Sequence, residues 1–349
     1  MRGALLAAFS ALACAAPPLP PLVEISDGRP AMGTILEITL WAPETPLAPE
    51  TLAELFEVAG RLDTAMTIYD PNSQLSKLNQ AAGRGPVEVG PELAQILEDS
   101  ARYSRLTRGS FDVTVGPLVA LWTHAGETGV APSAEAIAQA RARVGADRIR
   151  VEGSRAALAQ EGVSVDLGGI AKGWALDQML PLLRARGIDR ALLDFGQSSV
   201  WALGAPPGAA GWRLLARGPD DGALGVLTLS DQALSVSGSL GQWVEIGGRR
   251  YGHVLDPRSG LPLERRRQAL VVAPDAALAE ALSKALLILG EQEGIALVAA
   301  QPGCDGMLVD AEGGSWETPR WHAAVRFEPL KAAESSPSAP LRQDRSPIP

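Results

Sequence analysis

Cysteine is nearly absent from this 349-residue chain. Cys14 and Cys304 are the only two, so neither a disulfide framework nor a cysteine-built metal site can be assembled from it. Histidine is almost as scarce, with His124, His253 and His322 making up the whole set. Basic residues are in the minority, 31 against 40 acidic ones, for a net charge of −9. That balance excludes nucleic acid as a partner, because phosphate backbones are held by concentrated Lys and Arg. After the N-terminus no stretch reaches the roughly 18 uncharged apolar residues of a membrane helix. There is no repeat of fixed period. What the chain does have is 46% apolar and 20% charged residues, the balance of a globular protein with a real core, built as one large domain or two closely packed lobes.

The first sixteen residues read as an export signal. Arg2 precedes an almost unbroken apolar run, Ala4 to Ala13, too short to span a bilayer. Ala11-Leu12-Ala13-Cys14 resembles a bacterial lipobox, which would place a lipid on Cys14; ordinary signal cleavage at the small-x-small pattern Ala13-Cys14-Ala15 is the alternative. Residues 17–30, opening with Pro17, Pro18, Pro20 and Pro21, read as a linker. Residues 31–330 form the folded domain, and 331–349, rich in Ser, Pro and charge, read as a disordered tail.

Within the domain, apolar spacing predicts helices at Pro49–Thr67, Pro91–Leu106, Ala134–Val144 and Ile170–Arg186, the last interrupted at Pro181. A further helix, Ala276–Leu289, is closed by Gly290. Strands are expected at Thr34–Trp41, Ala191–Leu203 and Trp212–Val236, with a hairpin turned at Gly247-Gly248. Long helices mixed with hairpins indicate an α+β fold rather than a βαβ series.

Four segments carry chemistry-bearing residues. Gly109-Ser110-Phe111-Asp112-Val113-Thr114 offers backbone N–H groups and hydroxyls, although a plain capped turn explains it equally well. In Asp166-Leu167-Gly168-Gly169-Ile170-Ala171-Lys172, a strand ends, two glycines open the backbone and a helix begins. Helix N-termini bind phosphate, and a lysine in the first turn opposes the dipole unless an anion is there. The spacing is neither a P-loop nor a dinucleotide fingerprint. Ser235-Val236-Ser237-Gly238 is followed by His253-Val254-Leu255-Asp256-Pro257, which sets a lone histidine beside a turn. Finally, the helix carrying Leu278, Leu282, Ala285 and Leu286 on its core face places Glu280 and Lys284 on the other. Read alone, these two are a solvated i,i+4 surface pair.

Taken in order, with Ala31-Met32-Gly33-Thr34 and Tyr69-Asp70-Pro71-Asn72-Ser73-Gln74-Leu75-Ser76-Lys77-Leu78-Asn79 before them, these segments resemble the ApbE family of FAD:protein FMN transferases over about residues 30–330. The resemblance implies an α+β, T-fold-like domain with mixed or antiparallel sheets and packed helices. It also implies an exported enzyme that splits FAD, releases AMP and passes FMN through a phosphoester to a Thr or Ser of an extracytoplasmic flavoprotein. By position, Met32, Tyr69, Ser110, Phe111, Asp112, Asp166, Lys172 and Leu255 match flavin-nucleotide contacts. His253 matches the catalytic histidine, and Gly169 a backbone ligand of magnesium. The protein would sit on the periplasmic side, tied to the membrane only through a lipid on Cys14.

Two departures stand out. Where the family helix carries Asp and Thr as magnesium ligands, this chain has Glu280 and Lys284. A charged lysine cannot ligate, so either Ser283 supplies the missing hydroxyl or the Lys284 ammonium takes the metal's place. Gly196-Gln197 replaces a pair of glycines. The expected cofactors are FAD as substrate and magnesium, the latter put in question by Glu280 and Lys284. Two further readings stay open: a flavin-binding exported protein with weakened catalysis, and a simple FAD pyrophosphatase.

Overall fold

The computed structural model describes residues 20–239 and 243–330. The signal segment and the C-terminal tail lie outside them. A single eight-stranded antiparallel sheet forms the centre. Its strands are β1 (Leu22–Ala31), β2 (Thr34–Pro43), β3 (Ala191–Phe195), β4 (Ser199–Leu203), β5 (Gln232–Gly238), β6 (Arg267–Ala273), β7 (Asp305–Asp310) and β8 (Ser315–Glu317), and they lie side by side in chain order. The long excursions between them carry the helices α1 (Leu47–Met66), α2 (Gln74–Gln80), α3 (Pro91–Leu106), α4 (Gly116–Thr128), α5 (Ala134–Arg141), α6 (Ala171–Ala185), α7 (Ala276–Ala299) and α8 (Trp321–Val325).

Both faces of the sheet are covered, and β6 shows why its sequence runs apolar without alternation. Ala269, Val271 and Ala273 face the large core shared with α1, α3, α6 and α7. Leu270 and Val272 face a second core, with Trp212, Leu227, Leu229 and Trp321 from a hairpin (Trp212–Arg217 with Ala223–Leu229) and α8. A third, smaller cluster joins Leu118, Trp122 and Ala125 of α4 to Ala140, Ile246 and Leu255. No helix among the described residues is long and apolar enough to cross a membrane.

Two expectations are corrected. Residues 22–30 are not a linker: they form the edge strand β1, paired with β2 from Leu22↔Pro43 to Ala31↔Thr34. Its polar outward positions and Pro30 concealed it, and an edge strand tolerates both. Helix α6 runs through Pro181 without interruption. Proline removes only one ladder bond there, and Leu176, Met179, Leu180 and Leu183 are buried on either side of it.

Candidate active site

The motifs converge because three loops are stitched to one another. Asp166 N–H donates to the Val113 carbonyl at 2.7 Å, and a parallel bridge joins Val115 to Ser164. A Cβ at Gly116 would lie 2.4 Å from Ser164 Oγ, so only glycine permits this approach. Asn79 of α2 clamps the strand before Asp166 with two bonds to Val165, Nδ2 to its carbonyl at 2.9 Å and its own Oδ1 accepting from the N–H at 2.8 Å. The third partner is the hairpin Trp243–Ile246 with Arg249–Gly252, whose Val244 packs against Gly126 of α4. Trp122 and Tyr251 stack across this contact at 5.2 Å.

Between these loops opens a cavity of ≈ 520 Å³, within the range of sites for nucleotide-sized ligands. Tyr69, Ser110, Phe111, Asp112, Asp166, Gly169, His253, Leu255 and Lys284 all line it. An apolar and aromatic wall that the sequence had not marked as a site adds Trp122, Trp243, Tyr251 and Ile288. The Gly247-Gly248 turn gave no sign that its strands would overhang a cavity. A second, more open concavity of ≈ 690 Å³ lies at Arg184, Arg190 and Asp231 and holds none of the motif residues.

Several side chains do something other than face a ligand. The Asp112 carboxylate is occupied by four donors: Ser104 Oγ at 2.9 Å, Thr114 N at 2.8 Å, Thr114 Oγ1 at 2.5 Å and Ala146 N at 2.9 Å. It shapes the loop, and the loop's remaining groups face the cavity. Ser110 Oγ donates to the Thr107 carbonyl at 2.7 Å. Met32 does not line the cavity; with φ +48° it turns the β1–β2 hairpin, and its N–H donates to Asp63 Oδ2 at 2.8 Å. Lys172 also stands outside the lining, donating from Nζ to Ser198 Oγ at 2.6 Å. Gln197, where the resemblance implies glycine, adopts φ +61°, with its N–H held by Asp194 Oδ1 at 2.7 Å.

At the strand-to-helix turn the Ile170 and Ala171 N–H groups donate to the Leu167 carbonyl at 2.9 and 2.8 Å. Asp166 Oδ1 accepts from Gly168 N at 2.8 Å, and no side chain caps the start of α6. A Cβ on Gly168 would meet only Asp166 Oδ1, at 3.1 Å. His253 sits at the bend after the overhanging hairpin and is exposed at the cavity. The turn beyond it is locked by Asp256, which accepts from Arg258 Nη2 at 2.8 Å and Nε at 2.9 Å, and by Trp122 Nε1 donating to the Gly260 carbonyl at 2.9 Å.

The face of α7 was misjudged. Glu280 is 1% exposed, not a solvated residue. Ser199 Oγ of β4 donates to its Oε1, and Oε2 has no partner among the described residues. Ser283, proposed as a replacement ligand, is fully buried and turned away. It bonds Ser235 Oγ at 3.0 Å, Ser237 Oγ at 2.8 Å and the Glu280 carbonyl at 3.0 Å. One residue step turns a helix by about 100°, so positions 283 and 284 cannot share a direction. Lys284 does reach the cavity. Its Nζ donates to the Glu280 carbonyl at 3.4 Å, and its stem lies over Gly169, where a Cβ would be 3.2 Å from Lys284 Cε. Burial lowers the Lys284 pKa; Glu280 opposes the shift, and Lys172 adds to it.

Magnesium, implied by the resemblance, does not fit this donor set. It demands near-octahedral oxygen ligands at about 2.0–2.1 Å. Glu280 Oε2 is the one buried carboxylate oxygen left without a partner among the described residues, and a lysine stem lies against Gly169. No group of three His, Cys, Asp or Glu that could hold a metal occurs among the described residues.

The ApbE family profile matches residues 32–308. A FAD:protein FMN transferase of Vibrio cholerae is 28% identical over 317 residues, spanning 89% of this chain and 93% of its own length. One of Escherichia coli K12 is 29% identical over 306 residues, spanning 85% and 86%. The solved flavin transferase ApbE from Vibrio cholerae aligns with TM-score 0.76 at 25% identity, over 87% of this chain and 99% of that one. The ApbE protein of Thermotoga maritima aligns with TM-score 0.78 at 26% identity, over 86% and 99%. This chain belongs to the ApbE family.

Proposed function

We propose that this chain transfers the FMN half of FAD to a serine or threonine hydroxyl of an acceptor flavoprotein and releases AMP. The observation that carries this reading is the convergence on one ≈ 520 Å³ cavity of a strand-to-helix turn, a histidine and an aromatic wall. Each part has a use in that reaction. Planar rings are taken up by the wall of Trp122, Tyr251 and Trp243 and by Tyr69, whose side chain stands 91% exposed at the rim. The pyrophosphate is met by the Gly168-Gly169 backbone and the uncapped start of α6, whose dipole favours negative charge.

The reaction is a displacement at phosphorus. The acceptor oxygen bonds to the FMN phosphorus, the P–O bond to the AMP phosphate breaks, and AMP leaves with the electron pair. The hydroxyl proton passes to His253, because an imidazole accepts a proton near neutral pH. Catalysis then rests on position and charge rather than on a covalent intermediate.

Export belongs to the same proposal. An acceptor on the periplasmic side calls for the export signal read at residues 1–16, and the Ala11–Cys14 sequence supports a lipid anchor. The experiment is to mix the purified protein with FAD and follow AMP, then add an acceptor domain and follow covalent flavin by mass. AMP with no flavin on any acceptor would mean a pyrophosphatase. FAD binding without AMP would mean a flavin-binding protein that has lost its chemistry.

A further inference from the structure

We infer that the Lys284 ammonium supplies the positive charge at the reacting phosphate that a divalent cation would otherwise supply, so that this chain cleaves FAD without magnesium. The inference rests on the flavin-transfer reading and deepens it.

Three observations carry it. First, Glu280 is 1% exposed, and its Oε2 has no partner among the described residues. Lys284 stands one helical turn away on the same helix, with its Nζ at the Glu280 backbone carbonyl and its charged form favoured by Glu280. Secondly, Lys284 is committed to that place. Its stem lies against Gly169: a Cβ there would stand 3.2 Å from Cε and 3.4 Å from Cδ and would press the stem aside by a few tenths of an ångström. Glycine at 169 thus leaves room for the lysine stem packed over it. Thirdly, among the described residues Nζ has one hydrogen-bond acceptor, the Glu280 carbonyl at 3.4 Å, which leaves donors to spare on a group that lines the cavity.

An ammonium differs from magnesium in what it does. It stabilises charge on a phosphate oxygen through hydrogen bonds, yet offers no octahedral template and less charge. In the balanced displacement, Lys284 touches the oxygens of the FMN phosphorus as charge builds on them. It takes no proton and forms no bond to phosphorus. Lys172, hydrogen-bonded to Ser198, adds a second positive charge close enough to depress the Lys284 pKa.

The test has a binding arm and a catalytic arm. In the binding arm, wild-type protein is titrated with Mn²⁺ alone and followed by electron paramagnetic resonance, with Mg²⁺ as competitor. No saturable Mn²⁺ site is expected. A site that binds Mn²⁺ tightly and is emptied by Mg²⁺ overturns the inference, whether or not flavin is cleaved. In the catalytic arm, AMP release from FAD is measured with a chelator and with added Mg²⁺, and the two rates should agree within about twofold. Abolition by the chelator with recovery on adding Mg²⁺ overturns it. Lys284→Met keeps the stem and removes the charge; AMP release is expected to fall about 10²–10³-fold while FAD still binds. Unchanged release in that variant also sinks the idea. The double variant Glu280→Asp with Lys284→Thr should acquire a Mn²⁺ site and Mg²⁺-dependent release. Should wild-type protein neither bind nor cleave FAD under any condition, the flavin reading fails, and the Mn²⁺ titration still decides whether a divalent site exists.

Discussion

Neighbouring glycines at 168 and 169 answer to different demands. At Gly169 the demand comes from within the protein, because the Lys284 stem lies against it and a Cβ would press that stem aside. At Gly168 nothing but Asp166 Oδ1 approaches, and φ is not left-handed, so the fold itself has room for a side chain. What a side chain there would obstruct is a ligand at the helix start. Gly168→Val is therefore expected to weaken FAD binding at least tenfold, read by flavin fluorescence, with a melting temperature close to wild type. A variant that melts normally and binds FAD with full affinity would remove the phosphate cradle from the account. His253 makes a separate demand on the chemistry. His253→Ala should bind FAD and lose about 10²–10⁴-fold in transfer, the usual cost of deleting a general base. Wild-type transfer in that variant would assign the proton to another group.

At the scale of elements, α7 is the part whose placement matters most, and its start is fixed from α6. The N-cap residue of α7, Asp275, makes no capping bond. Instead Asp177 of α6 accepts from Ala276 N at 2.8 Å and Ala277 N at 2.9 Å, and also from Trp201 Nε1 at 3.1 Å. The two helices meet closely because residue 173 is glycine, where a Cβ would lie 2.5 Å from the Ala276 carbonyl. Burial outweighs the N–H donors and raises the Asp177 pKa from 3.8 to about 7. A carboxyl whose pKa is higher in the folded state favours folding while protonated. Its contribution is fully present below about pH 4 and is lost as pH rises through 7. The stability of wild type relative to Asp177→Asn should accordingly fall between pH 4 and pH 8, measured by urea unfolding across that range. A difference that stays flat with pH would show that Asp177 remains ionised in its cap. Such cross-element contacts mark what the sequence could and could not disclose. The bounds of α3 and the Gly247-Gly248 hairpin follow from local periodicity and turn chemistry, and both are found where expected. The burial of Glu280 was illegible, because a charge at helical spacing reads as solvent-facing. Only the long-range placement of α7 over β4 and β5 brings Ser199 to Glu280, and Ser235 and Ser237 to Ser283. β1 was hidden by the same locality, since its pairing with β2 and not its composition makes it a strand.

For the molecule as a whole, the lipobox-like sequence raises the question of a membrane anchor, and charge bears on it. The chain carries a net charge of −9, so its overall charge opposes approach to an anionic lipid surface. The described helices offer no membrane span. If the protein is recovered with membranes, the lipobox-like sequence makes a lipid on Cys14 the link to test. Lipid anchoring is steep in its dependence on the chains themselves, because each buried CH₂ contributes about 0.8 kcal/mol. Losing the attachment point should therefore release the protein completely rather than shift it by degrees. Cys14→Ser is expected to move the protein from the membrane fraction to the soluble periplasmic fraction, with FAD cleavage per molecule unchanged. The unchanged rate matters, since it separates loss of the anchor from loss of the fold. Wild-type protein found soluble, with a mature mass matching cleavage near Ala13-Cys14-Ala15, would establish ordinary secretion instead. The acceptor would then have to be reached by free diffusion rather than along the membrane surface.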